Sequence, residues 1–355
     1  MKKLHTTAGF ILLLVTGNTA ARARSPFRTP DPLLPSITVR WAGEKQDSGY
    51  THYDSHIEPY PAFLWTMHDI ELNLLPSTPI RHRINTNNTS NGHELSTLIE
   101  NLLTEIRDGK KRFTDFKLIQ KKNFNSGKRC GLIVLKFKKH PFVLKLFMEQ
   151  PNSFADPYGK GVEPISFFFM AGGANRHMSG LTRVRNAQYA KQKIDSLTVW
   201  HKHIFMPRKW FWLPQENRLL HITGHNIGGK TSMENEIPSV YGIIADYIET
   251  DKRITFGHRK RKAIAMRLCN DLNLCIDPHG DNFIFVLDEA MKKPKIAIID
   301  TEHFPTIVGL KKRRSFRTHR HWIAFLVGKY VRDTYCRTKS MRRYAQIEPR
   351  ELDII

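Results

Sequence analysis

Three side chains in the last third of this chain have the types and spacing for phosphoryl-transfer chemistry. Asp277 is followed five positions later by Asn282, and Asp300 lies eighteen residues beyond that. Moving a phosphoryl group needs one carboxylate to orient a hydroxyl and take its proton. It also needs oxygen ligands that hold Mg²⁺ against the phosphates. An Asp and an Asn in one loop after a helix can divide those tasks, and a second Asp ending an apolar strand can face the same ion. The alternative is a hairpin in another α/β fold whose carboxylates cap turns.

The segment Asp277-Pro278-His279-Gly280-Asp281-Asn282 fits Asp-x-His-x-x-Asn, and Ile296 to Ile299 lead into Asp300. It resembles the protein-kinase superfamily, and within it the aminoglycoside and choline phosphotransferases. The resemblance implies an α+β, bilobal protein-kinase-like fold with an antiparallel-sheet N-lobe and a reduced, mainly helical C-lobe. It implies ATP and Mg²⁺ as cofactors, Asp277 as catalytic base, and Asn282 and Asp300 as metal ligands. His279 would shape the loop. The implied partners are a nucleotide and a hydroxyl acceptor, either a small molecule or a protein, for which an acidic protein suits the basic chain.

Upstream, Val143-Leu144-Lys145-Leu146 is similar to the family's Val-Ala-Ile-Lys strand, which makes Lys145 the residue that steadies the phosphates. A lysine inside an apolar run is costly unless paired. The other reading is a lysine facing solvent from a half-buried strand. Ser126 and Gly127, in Asn125-Ser126-Gly127-Lys128, occupy the place of the glycine-rich loop with a single glycine. Asp246 and Tyr247, at the end of an apolar run from Val240, would lie beside the adenine, or else finish an ordinary core strand. Three departures point to a second function class, a pseudokinase acting as a binding protein. Asp300-Thr301-Glu302 replaces Asp-Phe-Gly, so that Glu302 is either a further metal ligand or a loop carboxylate. No helix glutamate clearly follows Lys145, Glu163 being the candidate. Only 55 residues follow Asp300.

These residues need particular elements to position them. Leu95, Leu98, Ile99, Leu102, Leu103 and Ile106 recur at helical spacing. Phe116 to Ile119, Gly131 to Lys138 and Pro141 to Met148 read as adjacent antiparallel strands. A helix is expected near 181–199, strands at Leu219–Thr223 and Val240–Ile248, and a helix over Lys260–Asn273. Short strands at Asn282–Leu287 and Ile296–Asp300 and a basic helix from Ile323 complete the series. Residues 24–60 read as an irregular leader and 76–93 as a loop of turn formers. Trp210-Phe211-Trp212 suggests packing of an insertion, with base stacking as the alternative.

The formal charge of +23 draws the chain to anions. Charge alone is the whole case for nucleic acid, which is therefore the least supported partner. Lys2 and Lys3, the apolar run Ala8–Gly17 and Ala21-Arg22-Ala23 form a signal-peptide pattern, so export is expected, with no stable membrane span. The alternative is an uncleaved anchor. The four cysteines lack zinc-site spacing and their even number permits disulfides, while Cys269 and Cys275 read as buried thiols more readily than as a bridge. The expected division is a signal peptide over 1–23, an extension with one amphipathic helix over 24–110, an N-lobe with an insertion over 111–250 and a reduced C-lobe over 251–355.

Overall fold

A computed structural model describes residues 36–45, 48–53, 65–83, 87–155, 174–197, 200–225, 232–249, 259–273, 276, 282–288, 293–302 and a few positions between 320 and 328. The fold is α+β, with several antiparallel sheets. Among the described residues, no helix is long and apolar enough to cross a membrane. The signal-peptide pattern lies outside the described residues.

The largest sheet joins β5 (Phe116–Asn125), β6 (Cys130–Phe137), β7 (Phe142–Met148), β12 (Val240–Asp246) and β9 (Lys209–Trp212) in that spatial order. All its pairings are antiparallel. Alternation along each strand sends side chains to two faces. Leu144, Leu146, Trp212 and Ile244 enter one core with Leu95, Ile99, Leu102 and Leu103 of the helix α2 (Gly92–Arg107). Phe147, Phe211, Tyr241 and Ile243 enter another with Met178, Leu181 and Val184 of the helix α4 (Ala174–Asp195). The sheet is thus covered by one helix on each face.

Two strands form within the expected leader. β1 (Ser36–Trp41) pairs with β2 (Tyr50–Tyr53) and with β10 (Leu219–His225), and β10 continues to β11 (Ser232–Pro238). Ser36–Trp41 is therefore strand rather than irregular chain, because its hydrogen bonds are completed by a partner far away in sequence. The turn-rich segment likewise holds a small hairpin, β3 (Pro79–Arg81) with β4 (Thr89–Asn91), preceded by the short helix α1 (Met67–Glu71). Asn91 ends that hairpin and caps α2, its side chain accepting the His93 N–H at 2.8 Å. The aromatic run at 209–212 packs into the cores on both sides of the large sheet, as expected of packing residues. It is edge strand β9, with Phe211 facing α4 while Trp210 and Trp212 face α2.

The third core joins the end of α4 to the downstream chain. Ala190 and Ile194 pack with Ala265 and Leu268 of α5 (Arg259–Asp271), with Leu272 just past its end, and with Ile276, Phe283, Ile296 and Ile298. The hairpin β13 (Phe283–Asp288) and β14 (Lys293–Ile298) is extended by β8 (Ile204–Phe205), parallel to β14. The helix α3 (Pro151–Ala155) follows β7 directly.

Helix α4 contacts the sheet closely at Gly180. A Cβ built there would lie 2.0 Å from the Tyr241 hydroxyl and 2.7 Å from the Phe147 ring, both in fully buried side chains. Gly→Ala inside a helix normally stabilises by about 1 kcal/mol. Gly180→Ala is expected to destabilise instead, by about 1–3 kcal/mol or more from overpacking, as measured by urea unfolding.

Candidate functional site

The face of the sheet toward α4 also carries two lysines. On β7, Lys145 shares the orientation of Phe147; on β9, Lys209 shares that of Phe211. β12 lies between them, with Ile243 opposite Lys145 and Ala245 opposite Lys209. The hairpin β13–β14 delivers Asp300 to this face just past its last paired residue.

Asp300 is the centre of an ion-pair network. Lys145 Nζ donates to its Oδ2 at 2.8 Å. Arg183 of α4 donates from Nε to Oδ1 at 2.8 Å and from Nη2 to Oδ2 at 3.4 Å. The same Arg183 Nη2 lies 3.1 Å from Glu302 Oε1, with Arg176 Nη1 4.0 Å from that oxygen. Between the two carboxylates, Thr301 is held on both sides of its peptide. Its carbonyl accepts from Asn186 Nδ2 at 2.8 Å, its hydroxyl donates to the Arg183 carbonyl at 2.6 Å, and that hydroxyl accepts from Lys209 Nζ at 2.7 Å. Glu302 is thus an Arg partner.

Burial and charge act against each other here. Burial opposes ionisation of Asp300, but Arg183, Lys145 and Lys209 hold its carboxyl well below the usual carboxylate range. Burial alone would lower Arg183, but Asp300 and Glu302 keep it firmly charged. Lys145 is lowered by burial despite its Asp300 partner. Lys209 falls to about 7, through desolvation first and then the nearby Lys145 charge.

The other expected site residues are placed as follows. Asn282 precedes β13, and its carbonyl accepts the Ile299 N–H at 2.9 Å, which brings it alongside the residue before Asp300. Asp277 lies outside the described residues, as does Glu163; Ile276, its neighbour, is buried in the third core. Ser126 and Gly127 form the exposed β5–β6 turn. There Asn125 Oδ1 accepts from the N–H groups of Gly127 and Lys128, both at 3.0 Å, so those donors are already engaged. At the end of β12, the Asp246 carboxylate accepts from Arg208, including from Nη2 at 2.7 Å. The Asp246 N–H donates to Arg208 O and the Tyr247 N–H to Pro141 O, and the Tyr247 ring stacks under Lys136. Lys145 and Asp300 therefore meet directly, Asn282 comes to the same hairpin end, and Asp246 and Tyr247 are tied into the sheet.

Sequence reasoning missed Arg183 and Lys209. The signal for Arg183 was a polar stripe, Arg176, Ser179, Arg183 and Asn186, on one side of a long helix, and all four residues are buried. The signal for Lys209 was its alternation with Phe211. Among the described residues, no group of three or more His, Cys, Asp or Glu is arranged to hold a metal ion. Both Asp300 oxygens are already bonded to cationic side chains, so the described residues do not fit a divalent ion as they stand. Comparisons with family models, curated proteins and solved structures found no match to this chain.

The lowered Lys209 pKa predicts a pH dependence. Between about 7 and the unfolded value of 10.5, the unfolded chain binds the proton more tightly than the folded one. The charged amine therefore weighs against folding at pH 7, and that penalty disappears as pH rises toward 10.5. Lys209→Met should be more stable than wild type near pH 7, with the difference in Tm shrinking by pH 10. A difference that grows with pH would contradict this assignment.

Proposed function

We propose that the chain is a protein-kinase-like phosphotransferase whose α4-covered sheet face binds the phosphates of a nucleotide. The bilobal arrangement implied by the sequence resemblance belongs to this proposal. So do ATP as the nucleotide, a hydroxyl acceptor, and Asp277 as the base. The observation that carries the reading is the 2.8 Å contact between Lys145, on the third strand of the large sheet, and Asp300, 155 residues away in sequence. A kinase-like site needs a strand lysine and a metal-side aspartate to converge at one place. Export after cleavage of the N-terminal segment remains part of the proposal and rests on sequence alone.

One observation favours the second reading, a pseudokinase that binds without turnover. In active protein kinases a helix glutamate pairs with the strand lysine. The helix side chain facing Lys145 and Asp300 here is Arg183, of opposite charge. It engages the carboxylate that a metal-dependent transfer would use.

Thermal unfolding with ATP and with adenosine, in Mg²⁺ and in EDTA, tests the binding claim. A ligand at a hundred times its Kd adds about 2.7 kcal/mol, a rise of several degrees in Tm. ATP should stabilise wild type, and Lys145→Met should lose most of the shift. Phosphate released or transferred by wild type and lost in Asp277→Asn would support turnover. Binding with no transfer would support the pseudokinase reading, and no shift with ATP in either condition would defeat both.

A further inference from the structure

Counting the charges in the Asp300 network gives more cations than anions. Lys145, Arg176, Arg183 and Lys209 face Asp300 and Glu302, a surplus of two positive charges when Lys209 is protonated. The pairing is also uneven. Arg183 spans both carboxylates, Arg176 approaches Glu302 and Lys145 holds Asp300, whereas Lys209 is bonded to the neutral hydroxyl of Thr301. Among the described residues Lys209 makes no direct ion pair, and Asp300 acts on it only at longer range; a desolvated ammonium held by a hydroxyl alone is unfavourable, and desolvation is the leading influence on this one. The two lysines are presented by strands on either side of β12, on one face, and Lys145 and Asp300 retain about a fifth of their side-chain exposure. The cluster is therefore reachable from solvent.

We propose that Lys209 and Lys145 together form a metal-independent site for a phosphate-type oxyanion, in which fixed side-chain cations replace the divalent ion. The proposal rests on the reading of this face as a phosphate site and assigns it a different counter-charge. Arg183 neutralises Asp300, so the carboxylate repels an incoming phosphate less than a free one would. Lys209 supplies the ammonium whose remaining N–H donors can turn from Thr301 to an anion. A charge-assisted hydrogen bond of this kind is stronger than a neutral one. The ligand class is a polyphosphate, supplied either as the tail of a nucleotide or as a free inorganic chain. Occupancy would also relieve the repulsion between Lys145 and Lys209.

Calorimetric titration of the full chain tests this, with sodium tripolyphosphate, ATP and adenosine as probes, each in EDTA and then in Mg²⁺. Tripolyphosphate should bind in EDTA, about tenfold or more weaker in Lys209→Gln and near wild type in Lys209→Arg. Equal affinity for ATP and tripolyphosphate would identify the free chain as a sufficient ligand. Tighter ATP binding, with adenosine binding weakly alone, would identify a nucleotide. Binding of ATP only with Mg²⁺, or binding in EDTA that Lys209→Gln leaves unchanged, would overturn the metal-independent site while sparing the nucleotide reading. Failure of every probe in folded protein would overturn both.

Discussion

The carboxylate of Asp300, shared between Lys145 and Arg183, is the interaction on which the arrangement of this molecule turns. Arg183 is only 2 % exposed, and its partner is about four-fifths buried. Taking such groups out of water is unfavourable, and removing one partner of a buried pair typically costs about 3–5 kcal/mol because the other is left uncompensated. The contact therefore constrains three elements at once: the central strand β7, the helix α4 and the end of the β13–β14 hairpin. Thr301 extends the constraint to β9 through Lys209, and to the α4 backbone through its hydroxyl.

The apolar cores explain why these groups meet. Alternation on β7 and β9 puts a lysine beside an aromatic on the α4 face, while the opposite face packs on α2. Helix α4 is shared by two cores, with Met178, Leu181 and Val184 under the large sheet and Ala190 and Ile194 against the downstream elements. Its polar stripe between them is the part that reaches Asp300 and Glu302. Close packing at Gly180 brings that stripe near the sheet.

Much of the large sheet was legible in the sequence, because β5, β6 and β7 are local neighbours with turn signals between apolar runs. Lys145 and Asp300 were legible for the same reason: each is a charge in or after an apolar strand, and such charges need partners. Arg183 was not, because arginine, serine and asparagine ordinarily face outward, and the apolar residues Met178, Leu181 and Val184 mark a different strip of the helix's buried surface. Nor was β1, whose hydrogen-bond partner β10 lies about 180 residues downstream. Lys209 was hidden by the Trp-Phe-Trp run beside it, which reads as a cluster until strand alternation divides it between two faces. The catalytic-loop pattern around Asp277 was the strongest chemical signal in the sequence, and of it Asn282 falls among the described residues while Asp277 does not.

The most direct test of this account is a double-mutant cycle on the central contact, by urea unfolding of wild type, Arg183→Met, Asp300→Asn and the double variant. Groups joined in one buried network couple by about 0.5–3 kcal/mol. The account predicts that both single variants are strongly destabilised and that the double variant loses less than their sum, by about 1–3 kcal/mol. Losses that simply add, within about 0.5 kcal/mol, would contradict it, since Arg183 and Asp300 would then fold as independent residues.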